Sequence, residues 1–182
     1  MIILISGGSG SGKSAYAEKL AVSLAAGKPG AVLYYVATMQ IYGEEGRNKV
    51  ERHRSLRAGK GFVTIEQPAN IQEAPINRKA GGTVILLECM SNLAANEMFF
   101  ANEAKDADEV ACKICTDILA LAQKAEDMIL VTNNVFEDGI AYEAATQSYM
   151  EALGRINTRL AALADVVTEV VAGIPVPVKG EL

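Results

Sequence analysis

A lysine and a serine close a stretch that is otherwise glycine and serine: Gly7, Gly8, Ser9, Gly10, Ser11, Gly12, Lys13 and Ser14. The spacing fits G-x-x-x-x-G-K-[ST], and it has a mechanical reason. Glycines let the backbone wrap so that successive N–H groups point at the same phosphates. The helix that follows presents its N-terminus, which favours anions. In such a loop the lysine reaches the β- and γ-phosphates and the serine hydroxyl ligates Mg²⁺. The stretch therefore predicts binding of a nucleoside triphosphate, ATP or GTP, with Mg²⁺.

Two further positions could carry chemistry. Glu88 closes the apolar run TVILLE. A carboxylate abutting so apolar a strand needs a partner, and the end of a core strand is where a metal-side acid sits. His53 is the one histidine, in NKVERHRSLR with Arg52, Arg54 and Arg57 around it. Taken alone it reads as a solvated histidine on a charged helix. Guanidinium groups at i+1 and i+4, however, can bind triphosphate oxygens, and a neutral imidazole beside a phosphate can be a nucleophile.

These residues need a scaffold. MIILIS, 1–6, is a short apolar run bounded by glycine, as expected of a strand buried on both faces. Residues 13–26 are alanine-rich and read as a helix, stopped by Gly27, Pro29 and Gly30. Strands are expected at 31–38, 62–66, 83–89, 127–133 and 165–173, with VPVK as a short last edge strand. Helices are expected at 44–58, 91–100, 105–125 and 142–164. Strands alternating with helices argue for an α/β fold with a mostly parallel central sheet and helices on both faces. With the phosphate loop after the first strand, this is the layout of a P-loop NTPase. No repeat or linker divides the chain, so one domain over residues 1–182 is expected.

Composition bounds the partners. The net charge of −5 argues against general nucleic-acid binding, which needs a basic stripe. No apolar run reaches the roughly 18 residues that span a bilayer. The N-terminus has no basic segment or cleavage site, and the three cysteines, an odd count, read as reduced thiols, so a cytoplasmic protein is expected. Cys112 and Cys115 have C-x-x-C spacing, but a zinc site needs about four ligands, and on an alanine- and leucine-rich helix they read as packing residues. Tyr34 and Tyr35 likewise read as packing, and residues 102–109 as a solvated helix start.

The whole chain resembles the cobinamide kinase/cobinamide-phosphate guanylyltransferase family of cobalamin biosynthesis. ISGGSGSGKS resembles its opening loop, YVATMQ its second strand and turn, and KVERHRSLR its R-I-x-x-H-R-x-x-R segment. VTIE and LLECMSNLAAN follow in order, and LVTNNV, GRINTRLAALAD and VVAGIPVPVK resemble its C-terminal third. The resemblance implies two activities. A nucleoside triphosphate phosphorylates the aminopropanol hydroxyl of adenosylcobinamide. The family's histidine, which falls on His53, attacks the α-phosphorus of GTP, and the histidine-bound GMP passes to the phosphorylated substrate, giving adenosylcobinamide-GDP. Catalytic roles would fall on His53 and Lys13. Nucleotide contacts would fall on the eight loop residues, on Ala37, Thr38 and Met39, on Arg54, Ser55, Leu56 and Arg57, and on Glu66 and Glu88. Metal contacts would fall on Ser14 and Glu88. A homotrimer is also implied.

The sequence departs from the family pattern in two places. Ser9 and Gly10 stand where the family has alanine and arginine. Asn134, Phe136 and Tyr142 stand where it has glutamate, glycine and proline. These changes keep two rival readings open: a diverged P-loop kinase of another small hydroxylated substrate, and a nucleotide-binding paralogue without catalysis. Retention of Lys13, Ser14, His53 and Glu88 favours an enzyme.

Overall fold

The computed structural model describes residues 1–40, 57–99, 105–136 and 139–182. The strands are β1 (Ile2–Ser6), β2 (Val32–Ala37), β3 (Phe62–Glu66), β4 (Thr83–Glu88), β5 (Asp127–Val131), β6 (Val166–Val171) and β7 (Ile174–Lys179). The helices are α1 (Lys13–Ala26), α2 (Met90–Met98), α3 (Ala107–Ala122) and α4 (Ala144–Leu163). Predicted and observed ends agree within about three residues, the usual fraying. The last strand is the exception in one sense: it is longer than the expected VPVK, because it pairs along β6 from Ile174 onward. Most of the helix expected at 44–58 lies outside the described residues.

The strands form one sheet in the order β3-β2-β4-β5-β1-β6-β7. All neighbours are parallel except β6 and β7. The parallel strands are apolar on both faces, and alternate residues feed two cores. On one face Ile3, Ile5, Leu33, Tyr35, Val84, Leu86, Ile129 and Val131 meet Ala17 and Ala21 of α1. Two alanines, fully buried, let that helix lie close to the sheet. On the other face Leu4, Tyr34, Val36, Ile85, Leu87, Met128 and Leu130 pack on α2, α3 and α4. The fold is thus the expected α/β arrangement with helices on both faces.

Local chemistry fixes the element ends. The Asp106 carboxylate caps α3 by accepting from the N–H groups of Asp108 and Glu109, at 2.8 and 3.2 Å. At the end of α4 the Lys179 ammonium donates to the carbonyls of Ala161, Ala162 and Ala164, groups the helix leaves unpaired. Pro175 and Pro177 offer no N–H from the sheet-edge strand β7 to a further strand. Beneath α2 and α3, buried Glu97 takes the Lys113 ammonium at 2.6 Å and the N–H of Asn70 at 2.7 Å. The same ammonium bonds Asp117 at 2.8 Å, and these two carboxylates hold the Lys113 pKa above its ordinary value against burial.

All parallel strands end on the same edge, so the loops after β1, β2, β4 and β5 open together. Leu86 lies at the middle of β4 with no exposure, whereas Val178 on β7 is 64% exposed. Leu86→Ala is expected to cost about 2–5 kcal/mol in urea unfolding. Val178→Ala is expected to stay within about 0.5 kcal/mol of wild type in the same measurement.

Candidate active site

The phosphate loop runs from the end of β1 into α1, as the G-x-x-x-x-G-K-S spacing predicts. Gly7 is sterically required: a Cβ there would lie 2.6 Å from the Val170 carbonyl of β6. Gly12 precedes α1 at φ +91°, a left-handed conformation that favours glycine. The loop is braced from two sides. The N–H of Gly173, in the β6–β7 turn, donates to the Ser11 carbonyl at 2.8 Å, and the N–H of Asn134, after β5, donates to the Gly7 carbonyl at 3.1 Å.

A cavity of about 250 Å³ opens over this loop. It is lined by Ser9, Gly10, Lys13 and Ser14 from the loop, by Tyr35, Ala37 and Met39 from β2 and its exit, and by Arg57 and Glu66. Glu88, Cys89, Ser91, Asn92 and Asn133 complete it. The wall is therefore built at the C-terminal ends of five parallel strands, β1 to β5, the usual place for a ligand in this architecture.

Lys13 is 8% exposed and its ammonium donates to the Gly8 carbonyl at 3.0 Å. Burial holds its pKa below the ordinary lysine value, with Cys89 and Glu88 opposing the shift. Glu88 has the partners its position demanded. One carboxylate oxygen takes the Ser14 hydroxyl and the other takes the Tyr35 hydroxyl, the latter at 3.0 Å. Ser14 and Glu88 are thus two hard oxygen donors in contact at the start of α1. That set fits Mg²⁺, which takes one or two protein oxygens and completes its shell with water and phosphate. Among the described residues no group of three or more His, Cys, Asp or Glu could hold a metal.

Arg57 is 6% exposed, and its guanidinium lies 3.6 Å from the centre of the Tyr35 ring. Its Nε and Nη1 are buried and make no hydrogen bond. Of the other expected contacts, Ala37, Met39 and Glu66 line the cavity. Thr38 is different: it is fully buried, and its hydroxyl accepts from the Cys89 N–H and donates to the Cys89 carbonyl, both at 2.8 Å. It ties β2 to the turn after β4. His53, Arg54, Ser55 and Leu56 lie outside the described residues, as does Arg52.

Several lining residues were not legible as site residues. Tyr35 was read as packing alone, yet its hydroxyl reaches Glu88. The signal was there: a tyrosine in a strand buried on both faces must place its O–H. Ser91 and Asn92 lie in the first turn of α2, and Asn133 in the loop after β5. Asn133 donates to the Ser91 hydroxyl at 2.7 Å, and its own carbonyl accepts from Asn157 of α4 at 3.3 Å. Cys89 lies 2.9 Å from the Ser91 hydroxyl, and burial pushes its thiol pKa up, so the thiol is kept neutral. Cys115 is buried in α3, and Cys112 is exposed and accepts from Arg159 at 3.0 Å.

The family model described as cobinamide kinase / cobinamide phosphate guanyltransferase matches residues 3–178. The bifunctional adenosylcobalamin biosynthesis protein CobU of Escherichia coli (strain K12) is 34% identical, over 98% of this chain and 100% of that protein. The protein of the same name from Salmonella typhimurium is 32% identical, over 98% of this chain and 100% of that one. Among solved structures, the flagellar accessory protein FlaH of Methanocaldococcus jannaschii aligns with a TM-score of 0.47 and 15% identity, over 99% of this chain and 78% of that one.

Lys13 carries a charge that the fold desolvates before any phosphate neutralises it. Lys13→Met removes that charge. Its thermal midpoint without nucleotide is expected to equal or exceed that of wild type. Mg²⁺ and GTP are expected to stabilise wild type by about 2.7 kcal/mol at a hundred times the dissociation constant, and to leave Lys13→Met unshifted in the same thermal scans.

Proposed function

The chain belongs to the cobinamide kinase / cobinamide phosphate guanyltransferase family, and from that premise we propose that it carries out both transfers on adenosylcobinamide. In the first, the substrate's aminopropanol hydroxyl attacks the γ-phosphorus of ATP or GTP and loses its proton; as the new O–P bond forms, the bond to the departing ADP or GDP breaks, leaving the phosphate ester. In the second, His53 attacks the α-phosphorus of GTP. The N–P bond forms as the bond to pyrophosphate breaks. A phosphate oxygen of the phosphorylated substrate then displaces the imidazole, giving adenosylcobinamide-GDP.

The observation that carries this reading is the convergence of Lys13, Ser14, Glu88 and Arg57 on one cavity. Loop N–H groups and Lys13 would hold the β- and γ-phosphates. Ser14 and Glu88 would hold Mg²⁺, which when bound neutralises charge on the phosphate oxygens. Arg57, which lines the cavity and has two guanidinium nitrogens without a hydrogen bond, would take phosphate oxygens as charge builds. Glu66 would contact the nucleotide from the end of β3, and Ala37 and Met39 from β2. Arg54, Ser55 and Leu56 belong to the same segment as His53 and would complete the nucleotide side. Splitting the nucleotidyl transfer into two displacements replaces one difficult step with two easier ones.

The same reading takes the protein as a one-domain, cytoplasmic homotrimer. Among the described residues no helix is long and apolar enough to cross a membrane. The departures at Asn134, Phe136 and Tyr142 favour a second reading in which only phosphoryl transfer to a small hydroxylated substrate survives.

One experiment separates the two. Protein incubated with α-³²P GTP and Mg²⁺ and then denatured is expected to carry acid-labile, alkali-stable label, and His53→Ala to carry none. Unlabelled wild type, or equal label on His53→Ala, would leave only the kinase reading. That reading is checked by product formation from adenosylcobinamide, where Lys13→Ala is expected to lose at least about 100-fold in rate.

A further inference from the structure

Tyr35 touches both charged arms of the cavity. It lies in β2 on the α1 face of the sheet and is 4% exposed. Its hydroxyl donates to Glu88 Oε2 at 3.0 Å, while Glu88 Oε1 takes the Ser14 hydroxyl. The guanidinium of Arg57 lies over the ring face at 3.6 Å. The ring itself is fixed by Phe62 of β3, which meets it nearly perpendicular at 85° with centroids 5.9 Å apart.

This arrangement is more than filling. A phenylalanine would occupy the same volume without an O–H to satisfy. The stacking also has a particular use. A buried guanidinium normally takes a carboxylate, which consumes its donors. Arg57 instead rests against a ring face, an attraction that leaves the in-plane N–H groups unspent. Its Nε and Nη1 are buried and, among the described residues, have no hydrogen-bond partner, and an anion satisfies such a pair.

We propose that Tyr35 is a positioning residue that ties the Glu88 carboxylate and the Arg57 guanidinium to one rigid ring, so that both are held for a Mg²⁺–triphosphate. The inference rests on the nucleotide reading above and deepens it. Through its hydroxyl Tyr35 acts on the metal side of the ligand, and through its ring on the phosphate side. The two effects are separable by substitution.

The test uses the full chain and a fluorescent GTP analogue, titrated across a Mg²⁺ series and again in EDTA. Tyr35→Phe keeps the ring and loses the hydroxyl. It is expected to bind the analogue as wild type does in EDTA, and to need about 10-fold more Mg²⁺ for the half-maximal metal-dependent gain in affinity. In a Glu88→Gln background, Tyr35→Phe is expected to change nothing further. Tyr35→Leu removes the ring as well, and is expected to weaken binding in EDTA about 5-fold or more as Arg57 loses its support. A wild-type Mg²⁺ requirement in Tyr35→Phe overturns the proposal, as does an undiminished effect of Tyr35→Phe beside Glu88→Gln. Tyr35→Phe changes no volume that packing depends on, so a folding defect in Tyr35→Leu leaves the decision intact. Wild-type protein that binds no analogue refutes the nucleotide reading instead.

Discussion

The hydrogen bonds on Glu88 depend on strand register. β2 and β4 pair so that Ala37 stands opposite Glu88 and Tyr35 opposite Leu86. Tyr35 is thereby one pleat back on the same face as the carboxylate, and α1 covers that face, with Ser14 in its first turn. A slip of one residue between these strands would turn Tyr35 to the opposite core and remove one of the two hydroxyls. Register is protected by the cores. Leu33, Tyr35, Val84 and Leu86 fill one side and Tyr34, Val36, Ile85 and Leu87 the other. The burial that stabilises the sheet is also what sets the carboxylate in place.

The cavity concentrates charge in a protein that is acidic overall. Lys13 and Arg57 are both buried there, with Glu88 as the nearby acid. Both cations are short of partners for such a setting. Lys13 has a backbone carbonyl, and Arg57 has a ring and two unbonded nitrogens. Leaving buried donors unmet costs stability, whereas the buried acids Glu18, Glu97, Asp117 and Asp127 are each paired with a lysine. Glu97 accepts from two donors, and Lys113 is shared between two carboxylates. The contrast separates structural polar burial from functional polar burial: one is closed within the protein, the other is left open to a ligand of opposite sign.

Much of this was legible before any coordinates, and the reasons differ by residue. The phosphate loop is local: eight consecutive residues carry both its geometry and its chemistry, and the helix after it follows from alanine content. Glu88 was legible because a carboxylate at the end of an apolar strand is anomalous wherever the strand lies. Tyr35, Ser91 and Asn133 were not, because their roles come from pairings across 53, 42 and 42 residues of chain that no local pattern encodes. Thr38 was assigned to the nucleotide with its neighbours Ala37 and Met39. Its hydroxyl is instead occupied with the Cys89 backbone, a fate that depends on β4 lying beside β2. The Glu97–Lys113–Asp117 group shows the same limit on the structural side. The Lys113–Asp117 spacing is a helical neighbour pair, but Glu97 comes from another helix.

The departures from the family pattern acquire a physical meaning here. Asn134 replaces a glutamate, yet the bond it contributes to the phosphate loop is its backbone N–H to the Gly7 carbonyl, which any residue but proline supplies. Gly10 replaces an arginine where a Cβ would meet no atom within 4 Å, so the loop path does not lean on a side chain there. Phe136 stands where the resemblance has a glycine and lies over Gly154 of α4, where a Cβ would meet its ring at an ordinary 3.8 Å. At Asn134 the loop keeps its backbone support whatever the side chain. Gly7 is the counter-case, because any side chain there would strike the Val170 carbonyl and displace the loop.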